Sequence, residues 1–159
     1  MLDKLKSFLL YYLATGFGTG FSPIASGTAG SLMGIVLVYF FFPHSWPFQI
    51  IFLVLTTAVA INAAGWLAES EGEKDPSIVV ADELVGQFAT FLFLAPDVVR
   101  NWRVLLAGFL LFRIFDIWKP WLIRRAESLP GGWGIVIDDI LAGLCSCLIL
   151  HLGLRFIVG

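Results

Sequence analysis

Apolar residues in this chain come in long unbroken runs, not in the narrow stripes of a soluble amphipathic helix or the alternation of a half-buried strand. The runs are Leu5 to Leu13, Thr28 to Phe42, Phe48 to Ala68, Ile78 to Ala95, Val104 to Trp118 and Ile140 to Val158. Phe48–Ala68 matches the ~20 residues that a helix needs to cross a bilayer. The first run is too short to span and reads as a retained interfacial helix. Pro43 and Pro47 bracket one tight turn, and Pro130-Gly131-Gly132-Trp133-Gly134 forms a hinge before the last run. The pattern predicts an all-α, polytopic membrane bundle. It has about five membrane helices plus the N-terminal interfacial helix, in a single domain over residues 1–159.

Composition supports that class. Of 159 residues, 58% are hydrophobic and 14% charged, and the mean hydropathy is +0.89. A soluble domain of this length could not hide so much apolar surface. The net charge of −2 offers no basic patch for nucleic acid. Cys145 and Cys147 lie two apart, lack further zinc ligands, and read as small packing residues. Lys4-Leu5-Lys6 and the short apolar stretch after it resemble a signal peptide, but the Tyr pair and the following glycines do not suit a cleavage site.

Alternation then fixes which ends meet. With Lys4 and Lys6 in the cytoplasm, the Thr28 helix leaves, the Phe48 helix returns, the Ile78 helix leaves and the Val104 helix returns. Asp82-Glu83, Asp116, Lys119, Arg124, Arg125 and Asp138-Asp139 all fall on the cytoplasmic side. Gly27-Thr28 and Ser31 join them. Arg100 and Arg103 fall outside, against the basic-residue tendency.

Ionised carboxylates in or beside lipid are costly and generally face an interior with a task. Asp138-Asp139 could cap the last helix, but two adjacent carboxylates repel unless a cation lies between them or one is protonated. Asp82-Glu83 allows the same two readings, a favourable first turn or a metal site, and Gly86 would leave space on that face. Arg113, Asp116 and Lys119 share a helical stripe. They form either an intrahelical pair with a snorkelling lysine or a phosphate grip beside a metal-holding aspartate. Ser22 to Ser31 is a small-residue turn into a helix, whose start can bind anions. Asn62 is expected to bond a neighbouring helix. Together these positions suggest a hard-cation site working on an anionic group at one membrane face.

Four blocks carry a family likeness: SPIASGTAGSL from Ser22, IVVADELVG from Ile78, FRIFDIWKPW from Phe112 and GGWGIVIDDILAG from Gly131. With the hydrophobic pattern between them, the chain resembles bacterial phosphatidylglycerophosphatase A along nearly its whole length. Ser26 and Leu122 stand where that family often has proline, which alters local backbone shape and not charge. The resemblance implies a phosphatase that converts phosphatidylglycerophosphate to phosphatidylglycerol with Mg2+, as a multi-pass protein of the inner membrane with a cytoplasmic active site.

On that basis Asp82, Glu83, Asp138 and Asp139 are expected metal ligands, with Asp82, Asp116, Asp138 and Asp139 as catalytic carboxylates. Arg113, Lys119, Thr28 and Ser31 are expected to hold phosphate. The nucleophile is either water or an aspartate, with water favoured because the carboxylates are needed for metal. A small cation transporter is the rival class. It would spread carboxylates through the membrane depth, whereas here they bunch at one face. A lipid-headgroup transferase of the CDP-alcohol type would show a D-x-x-D-G motif, which is absent. Oligomeric state is not legible.

Overall fold

The computed structural model describes residues 1–158. Among them all regular structure is helical: α1 (Leu2–Ala14), a 3-10 turn (Thr19–Phe21), α2 (Ser26–Phe41), α3 (Trp46–Glu71), α4 (Ala81–Thr90), α5 (Pro96–Val99), α6 (Trp102–Trp118), α7 (Trp121–Ala126) and α8 (Gly132–Val158). Two helices are long and apolar enough to cross a membrane, Trp46–Glu71 and Gly132–Phe156, and α2 is a shorter apolar helix. Their outward faces carry Val54, Leu55, Leu148 and Leu152, all exposed. Such a surface has no business in water but suits lipid.

The Ile78–Ala95 run does not form a membrane-length helix. Its helix α4 has ten residues, about 15 Å, and sits at the centre of the bundle with α2, α3, α6 and α8 around it. Nearly every α4 side chain is buried, so the run is apolar because protein covers it. Beyond α4 the chain continues irregularly to the far end of α3. There the buried Gln49 donates to the Leu94 carbonyl at 3.0 Å and the Pro43 carbonyl at 3.1 Å, and accepts from the Phe93 N–H at 2.7 Å. Non-helical backbone at such depth needs partners from protein.

Close approach to α4 is set by missing side chains. A Cβ on Gly30 would meet Val80 at 2.6 Å, and one on Gly34 would meet Gln87 at 2.9 Å. Gly86 is no open space: the Phe112 ring and the Asp139 carbonyl fill it. On α8, a Cβ at Gly132 would run into the Ile61 carbonyl and come 2.8 Å from the Gly65 N. These stripes of small residues let backbones touch, the usual basis of helix packing in lipid.

Three other expectations change. The last helix starts at Gly132, not after Asp139, because Gly132 and Gly134 are packing residues inside the helix and the hinge ends at Gly131 (φ 57). Asn62 bonds the Ala58 carbonyl of its own helix at 2.7 Å instead of a neighbour. Ser26 and Leu122 occupy the first turns of α2 and α7, where proline is equally tolerated. The Ser26 hydroxyl also donates to the Ser77 carbonyl at 2.6 Å, tying α2 to the segment that leads into α4.

Candidate active site

Helix α4 begins with its acids at the end of the bundle where α1 stops. The Val80 N–H donates to the Ala14 carbonyl at 2.9 Å, and this clasp sets where the helix starts. Asp82 and Glu83 sit in the first turn of α4, which has no side-chain cap. Asp138 and Asp139 lie in the second turn of α8. Capping is therefore not what either acidic pair does. Consecutive residues on a helix point about 100° apart, so the two aspartates of α8 diverge.

Asp139 turns toward α4. One oxygen from each of Asp82, Glu83 and Asp139 can lie within 4.8 Å of the others. Glu83 is 9% exposed and Asp139 3%. Asp82 Oδ1, Glu83 Oε2 and Asp139 Oδ2 are buried with no hydrogen-bond partner among the described residues. Asp116 adjoins Asp139 from α6. Three like charges with bare oxygens in a dry interior are strongly unfavourable alone. A divalent ion with hard oxygen preferences answers both the charge and the orphaned atoms. The residues therefore fit a Mg2+-type ion.

Arg113 closes the other side. Its Nη1 donates to Asp116 Oδ2 at 2.6 Å, lies 3.4 Å from Ser31 Oγ and 3.9 Å from Glu83 Oε1. The Arg–Asp bond within α6 thus exists and also belongs to the cluster. Gly27 on α2 makes room for it, since a Cβ there would overlap the Glu83 carboxylate and come 3.3 Å from Arg113 Nη1. Ser31 is fully buried beside them. Thr28 lies one turn earlier on α2, and its hydroxyl bonds none of these groups among the described residues.

Asp138 turns the other way. Its Oδ2 accepts from Lys119 Nζ at 2.8 Å, and Glu127 Oε1 accepts from the same ammonium at 2.6 Å. The expected four-carboxylate ligand set thus divides into three plus one. Lys119 is not a snorkelling residue either. It follows α6 in a left-handed conformation (φ 45) that bends the chain back toward α8. Burial alone would lower its pKa, but the hydrogen bonds to Asp138 and Glu127 outweigh this and push it up, so it stays charged.

Sequence reasoning passed over Glu127, Asp75 and Gln87. Glu127 and Asp75 lie in polar loops, where an acid looks merely solvated. Gln87 did carry a signal. It lies one helical turn after Glu83 in an apolar run, and both its amide atoms are buried without partners. The two histidines remain away from the carboxylates; His151 contacts Cys147 on α8.

An all-helical protein with a buried carboxylate cluster beside a guanidinium at the end of its bundle fits a class: hydrolases or transferases that act on anionic groups. The particular family comes from the chain's relatives. The family described as Phosphatidylglycerophosphatase A matches residues 12–154. A "Putative phosphatidylinositol-3-phosphatase" of Bacteroides thetaiotaomicron is 42% identical over 162 residues, covering 98% of this chain and 99% of that one. Phosphatidylglycerophosphatase A of Escherichia coli is 38% identical over 142 residues, covering 89% of this chain and 81% of its own. That of Haemophilus influenzae is 36% identical over 143 residues, with 89% and 86% covered. No solved structure matches the chain. The chain belongs to the phosphatidylglycerophosphatase A family and is a phosphoric monoester hydrolase.

Proposed function

We propose that this phosphatase removes the terminal phosphate of phosphatidylglycerophosphate, giving phosphatidylglycerol, with Mg2+ as cofactor. The observation that carries the reading is the trio Asp82, Glu83 and Asp139, with one unpartnered buried oxygen each, next to Arg113. The family match supports the substrate. Asp82, Glu83 and Asp139 would hold the metal, which when bound polarises a phosphoryl oxygen and offsets the acids' repulsion. Arg113 keeps Asp116 on one side and presents its remaining N–H groups to phosphate, a geometry suited to a guanidinium. Ser31 donates its hydroxyl, and the uncapped first turn of α2 near Thr28 offers backbone N–H groups. Asp116 accepts from Arg113 at 2.6 Å and so keeps the guanidinium beside the carboxylate trio. Water is the favoured nucleophile, because the trio's carboxylate oxygens would be needed to hold the metal.

The site lies on the cytoplasmic face of a bacterial inner membrane in this reading. Lys4, Lys6, Arg124 and Arg125 support that side. Helices α2, α3, α6 and α8 cross, and α4 with its following loop makes the remaining passage. The deciding experiment is phosphate release by the purified protein. Phosphatidylglycerophosphate should be hydrolysed with Mg2+ and not in excess EDTA. Preferential hydrolysis of phosphatidylinositol 3-phosphate would instead give this chain the activity printed for its Bacteroides relative. In sealed vesicles, single cysteines placed in residues 70–80 and 122–137 should label from the same side.

A further inference from the structure

Beside the metal-type cluster lies a second polar recess. It is a cavity of about 190 Å³ lined by Lys74, Asp75, Glu127, Gly131, Gly134, Ile135 and Asp138. Its walls come from the loop after α3 and from the turn between α7 and α8. Gly134 keeps that turn tight, since a Cβ there would overlap the Leu129 carbonyl. Gly131 at the mouth faces open space. Asp138 is 3% exposed and its Oδ1 is buried without a partner. Asp138 lines the cavity, and a buried carboxylate oxygen without a partner calls for a donor.

What kind of donor follows from the charges. Lys119 already supplies a cation to one oxygen each of Asp138 and Glu127. A second divalent ion would sit against that ammonium and be repelled. An anion would face Asp75, Glu127 and Asp138. A neutral hydroxyl suits the recess: it donates to a carboxylate and accepts from Lys74. A carboxyl torsion is broad and two-fold, so Asp138 can present either oxygen to the cavity while the other keeps Lys119. Three carboxylates and Lys74 around a lining that is part polar and part apolar suit a polyol, which has hydroxyls on a carbon skeleton.

We propose that this recess is the headgroup-specificity site, binding the free hydroxyl of the polyol that links the two phosphates of the lipid. The proposal rests on the phosphatidylglycerophosphate reading above. The bridging glycerol then lies against Asp138 while its terminal phosphate reaches Arg113, so neighbouring aspartates on α8 divide recognition from chemistry. Asp138 acts here as a binding residue and Asp75 at the rim assists it.

The test uses the full-length protein with Mg2+ and two lipids, phosphatidylglycerophosphate and its analogue in which the headgroup glycerol lacks the central hydroxyl. A site built to bond a hydroxyl discriminates against the ligand lacking it. Wild type should show kcat/KM about tenfold lower on the deoxy lipid, the order expected for losing one bond to a charged group. Asp138→Asn and Asp75→Asn should each shrink that ratio toward one. Asp75→Asn, in an exposed loop, guards against a folding artefact. Equal kcat/KM for both lipids with wild type, or full discrimination retained in both variants, overturns the proposal while leaving the substrate intact. Absence of wild-type turnover on both lipids, with turnover on another phosphomonoester lipid, overturns the substrate reading and this site with it.

Discussion

Asp138 and Asp139 are adjacent, identical and equally buried, yet they stand in opposite electrostatic regions. Asp139 joins Asp82 and Glu83 in a trio whose oxygens lack partners, with Arg113 engaged mainly by Asp116. Asp138 and Glu127 each have one oxygen met by Lys119, at 2.8 and 2.6 Å. One region is short of positive charge and the other supplies its own. A cluster left without a cation by its own fold is arranged for one that arrives later, whereas acids bridged by an internal lysine already have their charge met and can be used for other contacts. Neutralising an acid should therefore have opposite effects on stability in the two regions.

The largest expected effect is in the trio. Asp82→Asn and Asp139→Asn should each lower phosphate release on the order of a thousandfold, ~4 kcal/mol of transition-state stabilisation. The same changes should leave the melting temperature in EDTA unchanged or raised, because like-charge repulsion is relieved. Mg2+ at about a hundred times its Kd should stabilise wild type by ~2.7 kcal/mol, and neither variant should respond. Turnover near wild type in both Asn variants would return these acids to a structural role. Next comes Lys119→Ala, which strands Asp138 in the interior. Chemical denaturation in lipid-detergent micelles should show a loss of about 3 kcal/mol. A stability equal to wild type would erase the distinction between the regions.

Gly132→Ala tests the frame that holds both aspartates. Its Cβ would press on the α3 backbone at Ile61, so a loss of about 1–3 kcal/mol is expected, with kcat falling as Asp139 shifts. A variant as stable and active as wild type would mean that α3 and α8 are not closely packed there. The smallest effect belongs to Asn62→Ala. Its amide bonds only its own helix turn, so a change within about 0.5 kcal/mol is expected. A larger loss by thermal melting would reveal a partner across the bundle.

Much of this was legible in the sequence, because apolar runs and their breakers reflect burial directly. Alternation of the runs was enough to bring Asp82, Glu83, Asp116 and Asp138-Asp139 to one end. The length of α4 was not legible. A run buried by protein and a run buried by lipid have the same composition, and ten residues of helix plus covered loop resemble one span. The division between Asp138 and Asp139 was hidden for a different reason. Their divergence depends on where α8 starts, and the glycines that read as a hinge are there to let helices touch. Glu127 gave no local sign, since its role comes from a lysine eight positions away that the chain bends back.

The Gln49 bracket bears on how such a protein is made. Segment α4 has too few apolar residues, and carries two acids, so it cannot partition into a bilayer by itself. The Phe93 amide and Leu94 carbonyl beyond it are met by a side chain on α3, 44 and 45 residues earlier. Its other flank is Gly143 of α8, close against the Gly86 carbonyl. During biogenesis the catalytic segment thus has no stable place until the spans on both sides of it in sequence are in the membrane. A nascent chain that stops before α8 holds Asp82 and Glu83 without Asp139, so the trio is complete only once the last helix is in place.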